Sequence, residues 1–298
     1  MPNDTLEEFK RAIRRARKAH IPPPERVVDE AFHELSYGPD KLAPDYVREN
    51  FNTLLRDVFV KTLEVLERYE EPAYAEAAFQ KLVSLRRQDI RSALSDSSAL
   101  RTVTGLESAI SSLLKGWYPY LRAMFISVSN SRKARGGLDL EWQFEKLLRL
   151  MAVPYQKQKG REGRRQRVDF VLPDFETYNR ERNRALIISV KRTLRERYQQ
   201  VADEQHRMRA PNVYIVTAED RVSTDKVREI KDLNVYLVVW DEVKQRDYPF
   251  EPTVIGYTYL ARDVIAEFDQ RYWRQGQVEG YLPADGAAPT PTTTPGPP

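Results

Sequence analysis

An aspartate and a lysine each lie in a short apolar run of this chain. Asp169 belongs to VDFVLP, while Ser189 and Lys191 lie near the end of RALIISVKRT. Successive side chains of a strand alternate between its two faces, so Ser189 and Lys191 share one face. If the two runs pair as an antiparallel hairpin, Asp169 and Lys191 can share that face. A solvent-facing ion pair is the alternative explanation of the same spacing.

A carboxylate beside a lysine at a sheet edge has the chemistry that metal-dependent phosphodiester hydrolysis needs. The acid binds a hard divalent cation such as Mg²⁺ through oxygen. The cation lowers the pKa of a bound water and neutralises charge on the phosphate. The lysine orients or deprotonates that water and stabilises the transition state. Asp169 and Lys191 are therefore candidate catalytic residues, although the bare pattern is weak in so charged a chain.

Short β-branched runs around this pair indicate strands. They are residues 168–172, 185–190, 213–216 and 235–239. Helical stretches are expected at residues 195–208, 223–233 and 261–273. Strands that alternate with helices imply a sheet with a parallel portion and right-handed crossovers. The fold class is thus α/β (α+β), a mixed sheet flanked by helices.

The preceding chain, residues 1–126, has helical periodicity throughout. After Asp45 the apolar residues recur three and four positions apart, which places one apolar stripe on one helix face. The run SNSRKARGG, residues 129–137, holds two glycines and predicts a linker or an entry loop, and a further helix is expected at residues 138–151.

These patterns divide the chain into three expected parts. Residues 1–128 form a helical N-terminal domain that could dimerise or clasp DNA, and residues 129–280 form a catalytic domain. Residues 281–298 form a Pro/Thr-rich tail whose composition predicts disorder.

Composition excludes several classes of protein. The 298 residues include 48 Lys and Arg against 44 Asp and Glu, no Cys and three His. The absence of cysteine excludes disulfide scaffolds, cysteine nucleophiles and thiolate zinc sites. The chain has no apolar run long enough to span a membrane, and its first twenty residues lack the apolar core of a secretory signal. We therefore expect a cytoplasmic protein.

The net charge of +4 conceals two strongly basic segments. Residues 156–167 contain six basic residues and one acidic residue, and residues 180–197 contain seven basic and two acidic residues, so each has a net charge of +5. A solvated surface explains either segment alone. Together they flank the strands of Asp169 and Lys191, which suits a phosphate backbone.

The sequence around this pair resembles the EcoRII and PspGI type of restriction endonucleases, a branch of the PD-(D/E)xK nuclease superfamily. The resemblance rests on VDFVLPDFETY, ALIISVK, the Arg195–Glu196–Arg197 cluster and Glu204, together with the upstream segment SRKARGGLDLE. It covers roughly residues 131–239, and the first 126 residues match no family that we can name.

The resemblance implies a role for individual residues. Asp169 and Glu204 correspond to the two metal-binding carboxylates, and Lys191 to the catalytic lysine. Most of the superfamily has an acid two positions before that lysine, where this chain has Ser189. In this branch the following helix supplies the second acid instead, so the departure supports the branch. Further residues correspond to an acid and a tyrosine near the same site: Glu141 and Tyr178.

The family resemblance also implies how DNA sequence is read. Arg195, Glu196 and Arg197 correspond to a cluster at a helix start that enters the major groove of DNA. Arginine can donate two bonds to guanine, and a carboxylate can accept one from cytosine, which suits a G·C-rich site. A surface ion network is the alternative. Arg132 and Arg135 are candidates for further groove or phosphate contacts.

The leading hypothesis is a Mg²⁺-dependent type II restriction endonuclease that cuts double-stranded DNA at a short palindromic G·C-rich site with a CCGG or CCNGG-like core. A palindrome suggests a homodimer, or a tetramer of paired dimers. A cognate methyltransferase would act on the same site without having to bind this chain. A structure-specific repair nuclease or resolvase and a catalytically silent DNA-binding protein remain alternatives.

Overall fold

The computed structural model describes residues 2–95, 101–157, 169–194 and 211–274. They divide into two compact units, which we treat separately. The first comprises the described residues of Met1–Leu147 together with Val190–Thr193, and the second those of Leu148–Ser189 and Leu194–Pro298. In the described ranges, no helix has both the length and the apolar character needed to cross a membrane.

The first unit is helical, as the apolar spacing predicted. Its helices are α1 (Pro2–His20), α2 (Pro24–Glu34), α3 (Pro39–Leu42), α4 (Pro44–Glu49), α5 (Phe51–Glu70), α6 (Phe79–Leu85), α7 (Arg87–Ala93) and α8 (Val103–Leu150), and the π-helix Glu71–Ala78 joins α5 to α6. Pro24 is the first residue of α2, where a missing amide hydrogen costs no helical bond. One apolar cluster, which includes Phe9, Tyr74 and Tyr120, packs α1 against the π-helix and α8.

The linker expected at residues 129–137 is wrong, because α8 continues through it as one 48-residue helix. A glycine inside a helix costs only about 1 kcal/mol relative to alanine. The packing of α8, whose Met124, Leu140 and Phe144 are buried, can offset that cost. The expected boundary between residues 128 and 129 falls inside this helix, and the three-part division stays a prediction.

The second unit contains a six-stranded sheet among the residues described. Its strands are β1 (Gln156–Lys157), β2 (Phe170–Leu172), β3 (Leu186–Lys191), β4 (Val213–Thr217), β5 (Tyr236–Val239) and β6 (Val254–Gly256), in spatial order β1-β2-β3-β4-β5-β6. The end of β3, from Val190, clusters with the first unit. Strands β1, β2 and β3 pair antiparallel, whereas β4, β5 and β6 pair parallel. The predicted mixed sheet is confirmed.

Helices connect the strands of this sheet. They are α9 (Phe175–Arg180), followed by the 3₁₀ turn Arg182–Arg184, then α10 (Thr224–Asp232) and α11 (Asp241–Asp247). Helix α10 confirms the helix predicted at residues 223–233. The final predicted helix corresponds to the consecutive helical segments Tyr257–Tyr259, Leu260–Ile265, Ala266–Phe268 and Asp269–Trp273. The helix predicted at residues 195–208 lies outside the described residues.

Candidate active site

Strands β2 and β3 form the antiparallel hairpin that the sequence predicted. Phe170 pairs with Ile188, which places Asp169, directly before β2, beside Ser189. The Ser189 hydroxyl donates a hydrogen bond to Asp169 Oδ2 at 3.2 Å. Ser189 is fully buried and Asp169 is half-buried, so a fixed side chain restrains one oxygen of a carboxylate that solvent can still reach.

Lys191 is the last residue of β3, two positions beyond Ser189. Alternation along the strand places both side chains on the same face of β3. The strand is buried from Leu186 to Val190 and becomes half-buried at Lys191. Lys191 is therefore the first residue of β3 whose side chain is partly accessible to solvent.

Positive charge also lies on the neighbouring strand. Lys157, which belongs to the first basic segment, is in register with Phe170 across β1 and β2. Its Nζ lies 5.4 Å from the centroid of the Phe170 ring. Lys157 therefore pairs with the residue that directly follows Asp169.

Tyr178 lies on α9, which begins directly after β2. The Asp174 side chain caps this helix by accepting a hydrogen bond from the Thr177 amide at 2.7 Å. Tyr178 is buried, and burial raises the pKa of its phenol although nearby Arg182 opposes the rise. The side chain is thus a neutral phenol, able to donate a hydrogen bond at neutral pH.

Helix α8 carries Glu141 and two of the predicted DNA contacts. Glu141 is half-buried. Arg132 Nε donates to both oxygens of Glu70, at 3.1 and 2.8 Å. Arg135 Nη1 donates to the Pro22 carbonyl oxygen at 2.6 Å. Both arginines thus make contacts within the helical unit in this structure, and their role at DNA stays a prediction.

A buried carboxylate stands one turn after Arg135 on the same helix. Asp139 is 4% exposed, and its Oδ1 lies 3.2 Å from Arg135 Nε. Burial raises the pKa of Asp139 to about 6, against the opposing charges of Arg135 and Arg192. Burial likewise lowers the pKa of Arg135. The desolvation of both groups exceeds what their ion pair recovers.

The remaining predicted residues lie outside the described residues: Glu204, Arg195, Glu196 and Arg197. Within the described part of the chain, no cluster of three or more His, Cys, Asp or Glu side chains could hold a metal ion. The Asp169 carboxylate has the oxygen donors that a hard cation prefers. The second expected ligand, Glu204, belongs to the undescribed part.

A family model described as EcoRII C terminal matches residues 119–253 of the chain. These residues are similar to the C-terminal domain of EcoRII. The matched EcoRII C-terminal domain begins within α8 and ends just before β6. It includes all the residues to which we assigned catalytic roles. The resemblance stated from the sequence is confirmed.

Relatives extend this likeness beyond the EcoRII C-terminal domain. The type II restriction enzyme SsoII of Shigella sonnei is 27% identical over 268 residues, which cover 87% of this chain and 82% of that protein. Metal-depleted Ecl18kI, solved in complex with uncleaved, modified DNA, superposes with a TM-score of 0.76 at 23% identity, over 93% of this chain and 87% of that one. The PspGI–substrate DNA complex gives 0.53 at 18% identity, over 85% and 95%.

These likenesses show the fold of this chain and relate it to type II restriction enzymes. The two structures establish a restriction-endonuclease fold for this chain. Its relatives are type II restriction enzymes, which are site-specific deoxyribonucleases. The helical first unit, which matched no family by sequence inspection, lies largely within the aligned length of SsoII.

One residue of the EcoRII C-terminal domain escaped the sequence reasoning. Arg192 follows Lys191, and its guanidinium lies over the Phe59 ring, with Cζ 5.5 Å from the centroid. It was counted only as one charge of a basic segment. No local pattern could have identified it, because its partners lie far away in the chain.

Proposed function

We propose that this protein is a Mg²⁺-dependent type II restriction endonuclease. It hydrolyses phosphodiester bonds of double-stranded DNA at a short palindromic G·C-rich site with a CCGG or CCNGG-like core. The observation that carries the proposal is the β2–β3 hairpin, in which Ser189 binds Asp169 and Lys191 follows on the same face of β3. Its position inside the EcoRII C-terminal domain supports this assignment.

The residues of the hairpin divide the work. Asp169, with Glu204, would hold Mg²⁺, which when bound neutralises phosphate charge and lowers the pKa of water. The Ser189 hydroxyl keeps the Asp169 carboxylate in one orientation. The Lys191 ammonium orients the attacking water and stabilises the negative charge that develops on the phosphate. The family resemblance assigns Glu141 and Tyr178 to positions near this chemistry.

Recognition belongs to a different set of residues. We assign base readout to Arg195, Glu196 and Arg197, because two arginines and one acid match guanine and cytosine edges in the major groove. A palindromic site presents two equivalent strands, which two copies of the chain would cleave as a homodimer. Arg132 and Arg135 are the weakest of the assigned contacts, since both make bonds within the helical unit.

The decisive experiment incubates the purified full chain with plasmid and phage DNA, with Mg²⁺ or with a chelator. We expect discrete fragments only with Mg²⁺, and sequencing of their ends should return one short palindrome. Cutting confined to branched DNA would identify a repair nuclease instead. Binding without any product would identify a silent DNA-binding protein.

A matched pair of lysine variants tests the assigned chemistry. Lys191→Ala should abolish cleavage while DNA binding persists. Lys231→Ala serves as the control, because Lys231 lies on α10 and its Nζ pairs with Glu251 at 3.1 Å. Cleavage by Lys191→Ala at the rate of the unmodified enzyme would exclude Lys191 from the mechanism.

A further inference from the structure

The segment that carries Lys191 belongs structurally to the helices. Residues Val190–Thr193 cluster with Met1–Leu147, although the strand that they end belongs to the sheet. Contacts that hold these four residues in place also hold the backbone from which the Lys191 side chain extends. The contacts of Arg192, the next residue, are of this kind.

Three features of α5 and α8 surround the Arg192 side chain, and we name them the Arg192 socket. The first is Gly136, where an added Cβ would lie 2.5 Å from Arg192 Cδ and 3.0 Å from Cζ. The second is the half-buried Phe59 ring, whose centroid lies 5.5 Å from Cζ. The third is the buried Asp139 carboxylate, which interacts electrostatically with Arg192.

The two adjacent glycines of α8 show that this fit is specific. Glycine is the least favourable residue after proline inside a helix. An added Cβ at Gly137 would meet nothing within 4 Å, whereas at Gly136 it would overlap the arginine. Only Gly136 therefore has a steric reason to lack a side chain. Its place in the helix is explained by the close approach of Arg192.

We propose that Arg192 is a positioning residue, which locks the lysine-bearing end of β3 into the Arg192 socket and so fixes the site of the Lys191 ammonium. Helices α5 and α8 then help to position Lys191, because they provide the socket. This inference rests on the proposed function, since it requires Lys191 to be catalytic. A direct phosphate contact by Arg192 is the competing role.

Adjacent glycine variants provide the test. Gly136→Ala should displace Arg192 and lower the single-turnover cleavage rate at saturating DNA on the order of 10- to 100-fold, as small misplacements of catalytic groups do. DNA affinity without Mg²⁺ and its salt dependence should stay unchanged. Gly137→Ala should cleave at the unmodified rate. A role confined to stability would lower the melting temperature and leave that rate unchanged.

A double-variant cycle isolates the contact and keeps the test valid if Gly136→Ala folds poorly. Arg192→Ala should lose a similar factor in rate, and Gly136→Ala should cost nothing further in that background because the methyl group then has room. Independent, multiplicative losses would overturn the socket.

The outcomes separate the socket from the proposed function. If the unmodified protein does not cleave DNA, the proposed function and the positioning role both fail. If it cleaves and Gly136→Ala matches Gly137→Ala, only the socket fails. If Arg192→Ala weakens DNA binding and reduces its salt dependence by about one phosphate contact, Arg192 binds DNA directly and the socket is again overturned.

Discussion

Asp139 makes a prediction about stability that depends on the competition between burial and ion pairing. The side chain is 4% exposed, and burial raises its pKa from 3.8 to about 6 in spite of Arg135 and Arg192. A carboxyl whose pKa is raised in the folded state stabilises the fold at low pH. That contribution is complete below pH 3.8 and is lost as the pH rises through about 6.

The perturbation is Asp139→Asn, which keeps the shape of the protonated acid and removes its titration. A pKa that rises from 3.8 to about 6 corresponds to about 3 kcal/mol of folding free energy lost by the unmodified protein. Arg135 and Arg192 stay charged over this range, and their attraction for the Asp139 anion is already included in its pKa. The variant should therefore gain about 2.4 kcal/mol relative to the unmodified protein between pH 4 and pH 7, since the remainder falls mostly below pH 4.

Urea denaturation of both proteins at several pH values measures this difference. The informative quantity is the change of this difference with pH, because the fixed difference between a neutral acid and an amide cancels. A difference that stays constant, or one that shifts against the variant as pH rises, would refute the reasoning. The second result would mean that the ion pair with Arg135 outweighs burial and depresses the pKa of Asp139.

Other contacts give shorter predictions. Arg132→Ala should cost about 2 kcal/mol of unfolding free energy by chemical denaturation, since it leaves the nearly buried Glu70 without this partner; if Arg132 binds phosphate instead, the salt dependence of DNA affinity will fall. Ser189→Ala should raise the Mg²⁺ concentration needed for half-maximal cleavage, because Asp169 loses its bond from the serine hydroxyl; an unchanged requirement would contradict this role. Asn234 has φ +55°, which glycine adopts more easily than alanine. Asn234→Ala should therefore be less stable than Asn234→Gly by about 1 kcal/mol, measured by thermal unfolding.

The sheet was largely predictable because its strands are buried on both faces. Runs of β-branched residues placed β4 and β5 to within one residue of their observed bounds. The edge strands β1 and β6 were missed. Gln156–Lys157 has two polar residues and Val254–Gly256 has only three residues, so neither provides a pattern long enough to recognise.

The continuity of α8 was not predictable from apolar spacing, because the packed face of this helix turns polar in its middle. Beyond Met124 that face carries Arg132, Arg135, Asp139 and Gln143, at intervals of three and four residues. Two of these side chains bond to α5 instead of joining an apolar core: Arg132 donates to Glu70, and Gln143 donates to Thr62 at 2.9 Å. A polar face with helical spacing lacks the hydrophobic signal of a helix.

The hairpin of the candidate site followed from local sequence, whereas the surroundings of Lys191 did not. Alternation within one strand relates Ser189 to Lys191, and antiparallel pairing of β2 with β3 brings Asp169 alongside. The partners of Arg192 are Phe59 and Gly136, which belong to other elements of the chain. A glycine that makes room for a distant side chain has the same sequence signature as one that breaks a helix.

Local sequence also does not show which arginines are available to bind DNA. Counting arginines along the chain treats all of them alike, but the structure separates them by the burial of their partners. Arg132 pairs with Glu70, whose side chain is 8% exposed. Moving Arg132 to a phosphate would leave this buried carboxylate without the arginine, which is unfavourable. Arg180 pairs with Glu176, whose side chain is 69% exposed, and such a surface pair contributes only about 0–1 kcal/mol. Arg180 can therefore exchange its carboxylate for a DNA phosphate at little cost. Among the described arginines, we thus expect those of residues 180–184 to contact the DNA backbone before those of α8.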